Sequence, residues 1–497
     1  MINLLLTLPV LLALITAVVL YVVRASLKLT EWLSVLSALI QVLVCCTLLV
    51  RVISSGVQSV AFGGWEAPFG IVFVADYLSV AMVMITAIIG MVAVIYAMGD
   101  LRNKKSYGLY HTYFHILLAG IYGAFLTGDI FNLYVWFEVM LIASFGLMVL
   151  DATKTQIEGA VKYVLLNLIS TLTLLLAIGL IYGATGTLNF ADLHTKSSQI
   201  AVGTQQMIAV LFFFSFAIKA ALFPLFAWLP ASYHTLPTGV VALFAALLTK
   251  VGVYALIRVF TLVFPLTETS LQPVFIWLAA LTMLTGVLGA ASQFDVKRIL
   301  SFHIISQIGY MIMGLAIYTP LALTGAIFYI IHHIIVKANL FLIGGVLERK
   351  YGSSQLRYLG GAYQAMPGLA LLFLIPAFSL AGFPPLSGFW GKFLVIKASL
   401  EEEYFLLAAV ALVVGLLTVF SMSKIWSEAF WKPLKEQVQP ACEIETKWLY
   451  YLPIITLTSL TIVIGLVAEP FYQFAEVAAK QLFDPIDYLT AVLGGLQ

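Results

Sequence analysis

The 497-residue sequence is short of charge: Asp, Glu, Lys and Arg make up only 10% of it, where soluble domains carry about a quarter. That scarcity excludes an ordinary soluble domain. Polar linkers are missing too. The longest polar stretch, 431–447, reads as a loop and is too short to hold a soluble domain. Cysteine is rare, with Cys45, Cys46 and Cys442 alone. Two of the three are adjacent inside an apolar run, so neither a disulfide framework nor a metal site is expected. The formal net charge of +2 gives no pointer to nucleic acid. There is no phosphate-cradling P-loop, no H-E-x-x-H and no dinucleotide fingerprint. The pairs Gly63-Gly64 and Gly344-Gly345 are not phosphate loops by pattern, and the histidines fall in no haem-ligand arrangement. No cofactor, metal, ATP hydrolysis or redox group is expected. No A-x-A-like cleavage site follows the first apolar run, which is therefore expected to be retained as a helix.

What the chain has instead is apolar length. It is 62% hydrophobic, with a mean hydropathy of +1.06. Runs of roughly 20 apolar residues, each long enough to cross the hydrocarbon core as a helix, recur from end to end. The expected fold is an all-α polytopic membrane protein of about fourteen spans, near 2–23, 29–52, 71–97, 110–127, 129–150, 159–183, 205–228, 238–262, 273–290, 298–318, 321–347, 367–400, 405–429 and 449–470. Residues 471–497 are expected to form one amphipathic surface helix.

Orientation follows from Lys and Arg in the connections. The odd-numbered loops hold Arg24, Lys28, Arg102, Lys104, Lys105, Lys154, Lys297, Arg298, Arg349, Lys350, Arg357, Lys432, Lys435 and Lys447. The even-numbered loops and the tail hold Arg51, Lys196, Arg258 and Lys480. Fourteen against four puts the odd loops in the cytoplasm and both termini outside.

The remaining seven lysines, Lys162, Lys219, Lys250, Lys337, Lys392, Lys397 and Lys424, fall inside predicted spans. Among the acidic residues Glu138 lies near mid-span, whereas Asp76, Asp129 and Glu428 sit near span ends. A charge at the centre of a membrane helix costs about 2.5–3.5 kcal/mol on insertion scales. Lys162, Lys397 and Lys424 are near enough to span ends to snorkel. Lys219, Lys250, Lys337 and Glu138 lie about eight or more residues deep, roughly 12 Å of helix, and point to an interior role. A buried lysine loses its proton more easily, and a nearby carboxylate restores its hold on it. Moving that carboxylate away would release the proton. Histidine is the natural relay between such sites. His332 and His333 precede Lys337, and His333 and Lys337 share a helix face.

Two spans are broken. One reads Lys219-Ala-Ala-Leu-Phe-Pro224 and continues to Trp228-Leu-Pro230. The other reads Gly382-Phe-Pro-Pro-Leu-Ser-Gly388-Phe-Trp-Gly-Lys392, with Pro384 and Pro385 side by side. Proline removes a backbone donor and disrupts the preceding turn. Backbone freed in this way at membrane depth must face protein or a water-filled cavity. Paired discontinuous helices are a pointer to repeats and a transport path.

At these residues the sequence resembles the antiporter-like family shared by the Mrp-type Na+/H+ antiporters and the proton-pumping membrane subunits of respiratory complex I. The resemblance runs over about residues 70–430. Trp136-Phe-Glu138-Val-Met-Leu matches the family's fifth helix with its acidic residue. Ala217-Ile-Lys219-Ala-Ala-Leu-Phe-Pro224 matches the broken seventh helix, and Leu248-Thr-Lys250-Val-Gly-Val-Tyr254 the eighth-helix lysine. His333-Ile-Ile-Val-Lys337-Ala-Asn-Leu-Phe341 matches the eleventh-helix His/Lys pattern, and the Gly382–Lys392 stretch the broken twelfth helix. The stretch Leu236–Lys250 is of the Mrp kind, and the D-type branch of the Mrp proteins is the most similar. The long C-terminal region of the A-type Mrp protein is absent, as is the lateral helix of the distal complex I pump. His303, in Phe302-His-Ile-Ile-Ser-Gln307, stands where a small hydroxyl residue is the family's choice.

The resemblance implies two inverted five-helix repeats, helices 4–8 and 9–13, with helices 7 and 12 broken. The chain then divides into 1–109 (helices 1–3), 110–262 (first repeat), 273–429 (second repeat) and 430–497 (loop, helix 14 and tail). It implies a proton path through Glu138, Lys219, Lys250, His333, Lys337 and Lys392, in which Glu138 and Lys219 form the central ion pair. His332, His303 and Lys424 are candidate relays. The implied activity is proton translocation that drives cation extrusion. The implied partners are the other Mrp subunits (A, B, C, E, F and G), H+, Na+ and the lipid bilayer of a bacterial inner membrane. No sodium-binding residues are visible. The alternative within the family is a proton-pumping component of complex I or of a membrane-bound hydrogenase. Outside it stand a self-contained solute carrier and a membrane-embedded enzyme such as a lipid-linked glycosyltransferase. The latter needs an acidic pair that Asp76, Asp129 and Asp151 do not form by pattern.

Overall fold

The computed structural model describes residues 2–102, 106–434 and 447–494. Lys104, Lys105, Lys435 and Cys442 lie outside the described residues. Among the described residues thirteen helices are long and apolar enough to cross a membrane. The broken pair Pro367–Ala381 and Ser387–Glu401 supplies one more crossing and brings the number to the expected fourteen. In chain order the others are Ile2–Val23, Leu27–Ser55, Tyr77–Asp100, Tyr107–Leu126, Ile130–Met148, Lys154–Thr185, Val202–Ala220, Thr238–Arg258, Gln272–Ser292, Val296–Ile317, Pro320–Tyr351, Phe405–Ile425 and Lys447–Leu466.

The chain marks the starts of these helices with polar caps. The Asp76, Asp129, Thr153, Asp295 and Thr319 side chains each accept the backbone N–H three residues on, satisfying one of the orphan donors of a first turn. The eighth, tenth and eleventh spans are almost wholly buried. The first, second and sixth show much of their surface to lipid. The Pro320–Tyr351 helix is central: it packs against the eighth, tenth, twelfth and fourteenth spans.

Two backbone clasps have the same form. Ile130 N donates to Leu188 O and Phe190 N to Gly128 O, around the start of the fifth span. Val296 N donates to Ser354 O and Leu356 N to Phe294 O, around the start of the tenth. The first clasp joins an even-numbered loop and the second an odd-numbered one, so they lie at opposite ends of the bundle.

Three expectations need correction. The third span begins at Tyr77, not near residue 71, because Val72–Ala75 is a strand paired antiparallel with Gln58–Ala61; the Asp76 capping box with Ser79 starts the helix after it. The tail is two helices, Ala468–Phe483 and Ile486–Leu493, parted at Pro485. The first packs on the third and eleventh spans. Arg258 is not a loop residue. It ends the eighth span, 4% exposed, and donates to both Asp76 oxygens at 2.6 and 2.9 Å.

Candidate proton-conducting row

Each half of the first break keeps its helical hydrogen bonds. Val202–Ala220 ends because Ala221 turns left-handed (φ 59°), and the chain resumes as Trp228–Ser232. Phe223 N is taken up by Thr282 Oγ1 at 3.0 Å and Trp228 Nε1 by Ile218 O at 3.0 Å. Gly252 permits this crossing: a Cβ there would stand 2.6 Å from Ala220 N. Lys219, buried in the last turn, has its ammonium 4.5 Å from the centre of the Phe137 ring. It makes no hydrogen bond among the described residues, and it borders a cavity of about 20 Å³, room for about one water.

Glu138 is half-buried, and its field reaches Lys219. The two do not form the ion pair implied by the resemblance: among the described residues none joins them within 4.0 Å. The physical reason is position. Glu138 lies on the stripe Phe131, Val135, Ile142 and Phe145, whose apolar members are exposed, and not on the face that buries Phe137.

Lys250, His333, Lys337 and Lys392 lie together in the interior, fully or nearly fully buried. The fields of Lys250, Lys337 and Lys392 all reach His333, and those of Lys250 and Lys392 reach Lys337. Each ammonium rests on backbone carbonyls: Lys250 on Ala245 O at 2.6 Å, Lys337 on Leu300 O at 3.1 Å, and Lys392 on Leu380 O and Ala381 O at 2.9 and 3.2 Å. Leu380 and Ala381 close the first half of the broken twelfth span, where the carbonyls carry the negative end of the helix dipole. Gly382 follows with φ 97°. His333 is free at both ring nitrogens among the described residues.

The candidate relays differ. His332 Nδ1 is bonded to Ser387 Oγ at 2.8 Å, and His303 Nε2 to Ser421 Oγ at 2.7 Å; both rings are buried. Lys424 instead caps the ninth span, donating to Ala291 O and Gln293 O at 2.7 and 2.6 Å. Lys162 and Lys397 reach the surface, as snorkelling requires. The prolines fall where the breaks are: Pro224 between Ala220 and Trp228, and Pro384 and Pro385 between Ala381 and Ser387.

Sequence reasoning missed Tyr329. Its ring lies 5.2 and 6.2 Å from those of His332 and His333, 5.5 Å from Tyr310, and its hydroxyl donates to Gln307 Oε1. Helical spacing gave the signal, since Tyr329 stands three and four residues before the histidines. It also missed His234. This residue stands between two adjoining polar cavities of about 530 and 630 Å³ at the odd-loop end of the bundle. Its Nδ1 donates to Pro230 O at 2.9 Å, and its Nε2 accepts from Arg298 at 3.2 Å. Burial and then the Arg298 charge push its imidazole below its usual value, against the Pro230 hydrogen bond. Lys297 closes the second cavity with an ion pair to Glu348 at 2.7 Å. Among the described residues no three His, Cys, Asp or Glu side chains are placed to hold a metal ion.

Residues 127–418 match the family described as NADH:quinone oxidoreductase/Mrp antiporter, transmembrane. The chain is 46% identical to the D subunit of the Na+/H+ antiporter of Alkalihalophilus pseudofirmus, over 99% of each chain. It is 39% identical to the D subunit of the Na+/H+ antiporter of Bacillus subtilis, over 98% of each. Among solved structures, a chain of the Mrp complex from Dietzia sp. DQ12-45-1b superposes with a TM-score of 0.91 at 32% identity, covering 98% of this chain and 99% of that one.

Proposed function

The chain belongs to the NADH:quinone oxidoreductase/Mrp antiporter membrane family, and from that premise we propose how it works. It is a proton-translocating subunit of a multisubunit Na+/H+ antiporter of the Mrp type, the counterpart of the D subunit, and a transporter component rather than an enzyme. The redox-coupled alternative is not favoured, because relatives matched over nearly their whole length are named as antiporter subunits.

Protons move along the interior row from Lys250 through His333 and Lys337 to Lys392, with His332 and His303 as relays. Glu138 sets the charge of Lys219. The observation that carries this reading is the continuity of the row: each ammonium lies within electrostatic reach of the next titratable group, in a core the hydrocarbon would otherwise fill. A self-contained carrier needs one midplane site opened alternately to each side. A row suits proton movement along the membrane plane toward a neighbouring subunit. The protein thus converts inward proton flow into charge shifts that drive cation extrusion in a partner, using a field worth about 2.3 kcal/mol per charge per 100 mV.

The repeats are spans 4–8 (110–262) and 9–13 (273–429), flanked by 1–109 and 430–497. The two equivalent clasps at opposite ends of the bundle support an inverted relation between them. With Arg258 removed from the loops the bias is fourteen to three, and it favours both termini outside, in the inner membrane of a bacterium. The His234 cavities then open to the cytoplasm and serve as the mouth of the path. The partners are the other Mrp subunits (A, B, C, E, F and G), and the exchanged ions are H+ and Na+. A reporter fused to the C-terminus should read outside; a cytoplasmic signal refutes this orientation.

The test is dye-detected Na+/H+ exchange in vesicles, with the chain expressed alone and with its neighbouring subunits. Exchange is expected only in the full assembly. Robust exchange by the chain alone overturns the proposal.

A further inference from the structure

The first, second and fourth spans contain a second buried polar seam that the central row does not use. Leu27–Ser55 shows lipid a face of Leu36, Leu39, Ile40, Leu43, Val50 and Ile53. Its other face is polar along much of its length: five of its nine buried residues are Thr30, Glu31, Ser34, Ser37 and Gln41. Packing one membrane helix on another uses small residues at the contact, with Ser, Thr, Asn, Gln and His hydrogen bonds as glue. Glu31, a buried carboxylate, exceeds what association demands.

Opposite Ser34 stand two histidines. His111 and His115 are one turn apart on the Tyr107–Leu126 helix, and both are fully buried. His111 Nδ1 lies 3.0 Å from Ser34 Oγ and His115 Nε2 lies 2.9 Å from the same oxygen. A hydroxyl has one proton to give. It donates to one ring and accepts an N–H from the other, so both rings carry their proton at Nδ1 or both carry it at Nε2. The outward nitrogens, His111 Nε2 and His115 Nδ1, have no hydrogen-bond partner among the described residues. Each is thus a point where a proton can arrive or leave.

We propose that His111, Ser34 and His115 form a second proton-relay cell, in the N-terminal helices and separate from the central row. The transfer balances. With His111 protonated at Nδ1 and Ser34 donating to His115 Nε2, a proton arrives at His111 Nε2. The Nδ1 proton passes to Ser34 Oγ, the hydroxyl proton passes to His115 Nε2, and His115 Nδ1 releases its own. No charge is left behind, and the cell is reset when each ring shifts its proton from Nε2 back to Nδ1 and the hydroxyl turns again to His115. The reverse sequence carries a proton the other way.

Polar groups continue from both ends. Toward the odd-loop surface, Tyr107 packs edge-on against His111 at 4.8 Å and donates to Glu31 Oε1 at 3.1 Å. Glu31 pairs with Arg102, whose side chain is 46% exposed. His115 lies eight residues on from Tyr107, roughly 12 Å deeper. Further along the same face, Ser37 is bonded to Thr16 at 2.7 Å and Gln41 donates to Pro9 O at 2.9 Å. The unpaired atoms tell the same story. Of the buried side-chain atoms without a partner among the described residues, His111 Nε2, His115 Nδ1 and Gln41 Oε1 belong to this seam. A seam serving only as interhelical glue would leave fewer donors and acceptors open.

The inference rests on the proton-translocating function proposed above, and the test separates the two. Na+/H+ exchange is measured in vesicles holding the complete assembly, normalised to assembled complex. The variants are Ser34→Ala, His115→Gln and, as control, Lys219→Ala. Glutamine still hydrogen-bonds Ser34 but cannot relay a proton, so it preserves glue and removes transfer. Ser34→Ala and His115→Gln are each expected to slow exchange by roughly tenfold, less than the roughly hundredfold or more of a lost proton-transfer group because the central row stays intact, with the solvent deuterium isotope effect altered. Wild-type exchange in both variants, or a loss in Ser34→Ala with none in His115→Gln, overturns the relay. A loss that only follows the amount of assembled complex overturns it as well. Retained exchange in Lys219→Ala overturns the underlying function instead.

Discussion

The two broken helices solve one problem in different ways. Each opens a gap in a membrane span, and each brings a lysine to it. Lys392 lies beyond its gap and reaches back to Leu380 O and Ala381 O, the carbonyl end of the half-helix before it, with the Tyr310 ring 4.6 Å away. Lys219 lies before its gap and has no such cradle. It has the face of Phe137 and the field of a half-exposed carboxylate, Glu138. A backbone cradle is fixed, whereas a carboxylate can gain or lose a proton or move. Lys392 is therefore built to bind and release its proton at a set affinity, and Lys219 to have its affinity switched.

The largest effect that would break this contrast is at the switched lysine. Lys219→Ala should reduce exchange on the order of a hundredfold or more in an assembled complex, within the range for lost proton-transfer groups. Glu138→Gln removes only a charge, and it should abolish exchange with assembly unchanged. Near-full activity in Glu138→Gln, measured in the same vesicles, would make the carboxylate structural and erase the difference between the two sites. A smaller effect comes from the glycine that lets the first gap close against the eighth span. Gly252→Ala places a methyl 2.6 Å from Ala220 N and 2.9 Å from Lys219 C. It should cost about 1–3 kcal/mol by overpacking, visible as a lower melting temperature. An unchanged melting temperature would show that the break has slack. The smallest effect is expected at Lys397, on the same half-helix as Lys392 but exposed and paired with Glu401 at 3.6 Å. Lys397→Gln should leave exchange unchanged and stability within about 0.5 kcal/mol.

Much of the frame was legible because membranes penalise exceptions. Apolar runs gave the spans, and charges too deep to snorkel singled out Lys219, Lys250 and Lys337. What each lysine rests on was not legible. Lys250 folds back on Ala245 O in its own helix, and Lys337 reaches Leu300 O on another; packing decides both. The half-exposure of Glu138 was within reach, since it stands in a helical stripe with Phe131, Val135, Ile142 and Phe145. The short strand Val72–Ala75 was hidden because a brief apolar run reads alike as strand or helix. The Asp76–Arg258 pair joins residues 182 apart and carries no local sign. The shared hydrogen bonds of His111 and His115 likewise depend on Ser34, far away in sequence.

Lys392→Arg tests the central claim, that protons pass through lysines able to release them. Arginine keeps the cation for the Leu380 and Ala381 carbonyls but does not deprotonate in a protein. In vesicles carrying the full assembly at wild-type level, the account predicts that Na+/H+ exchange is lost. Exchange at the wild-type rate would contradict it and reduce Lys392 to a fixed charge.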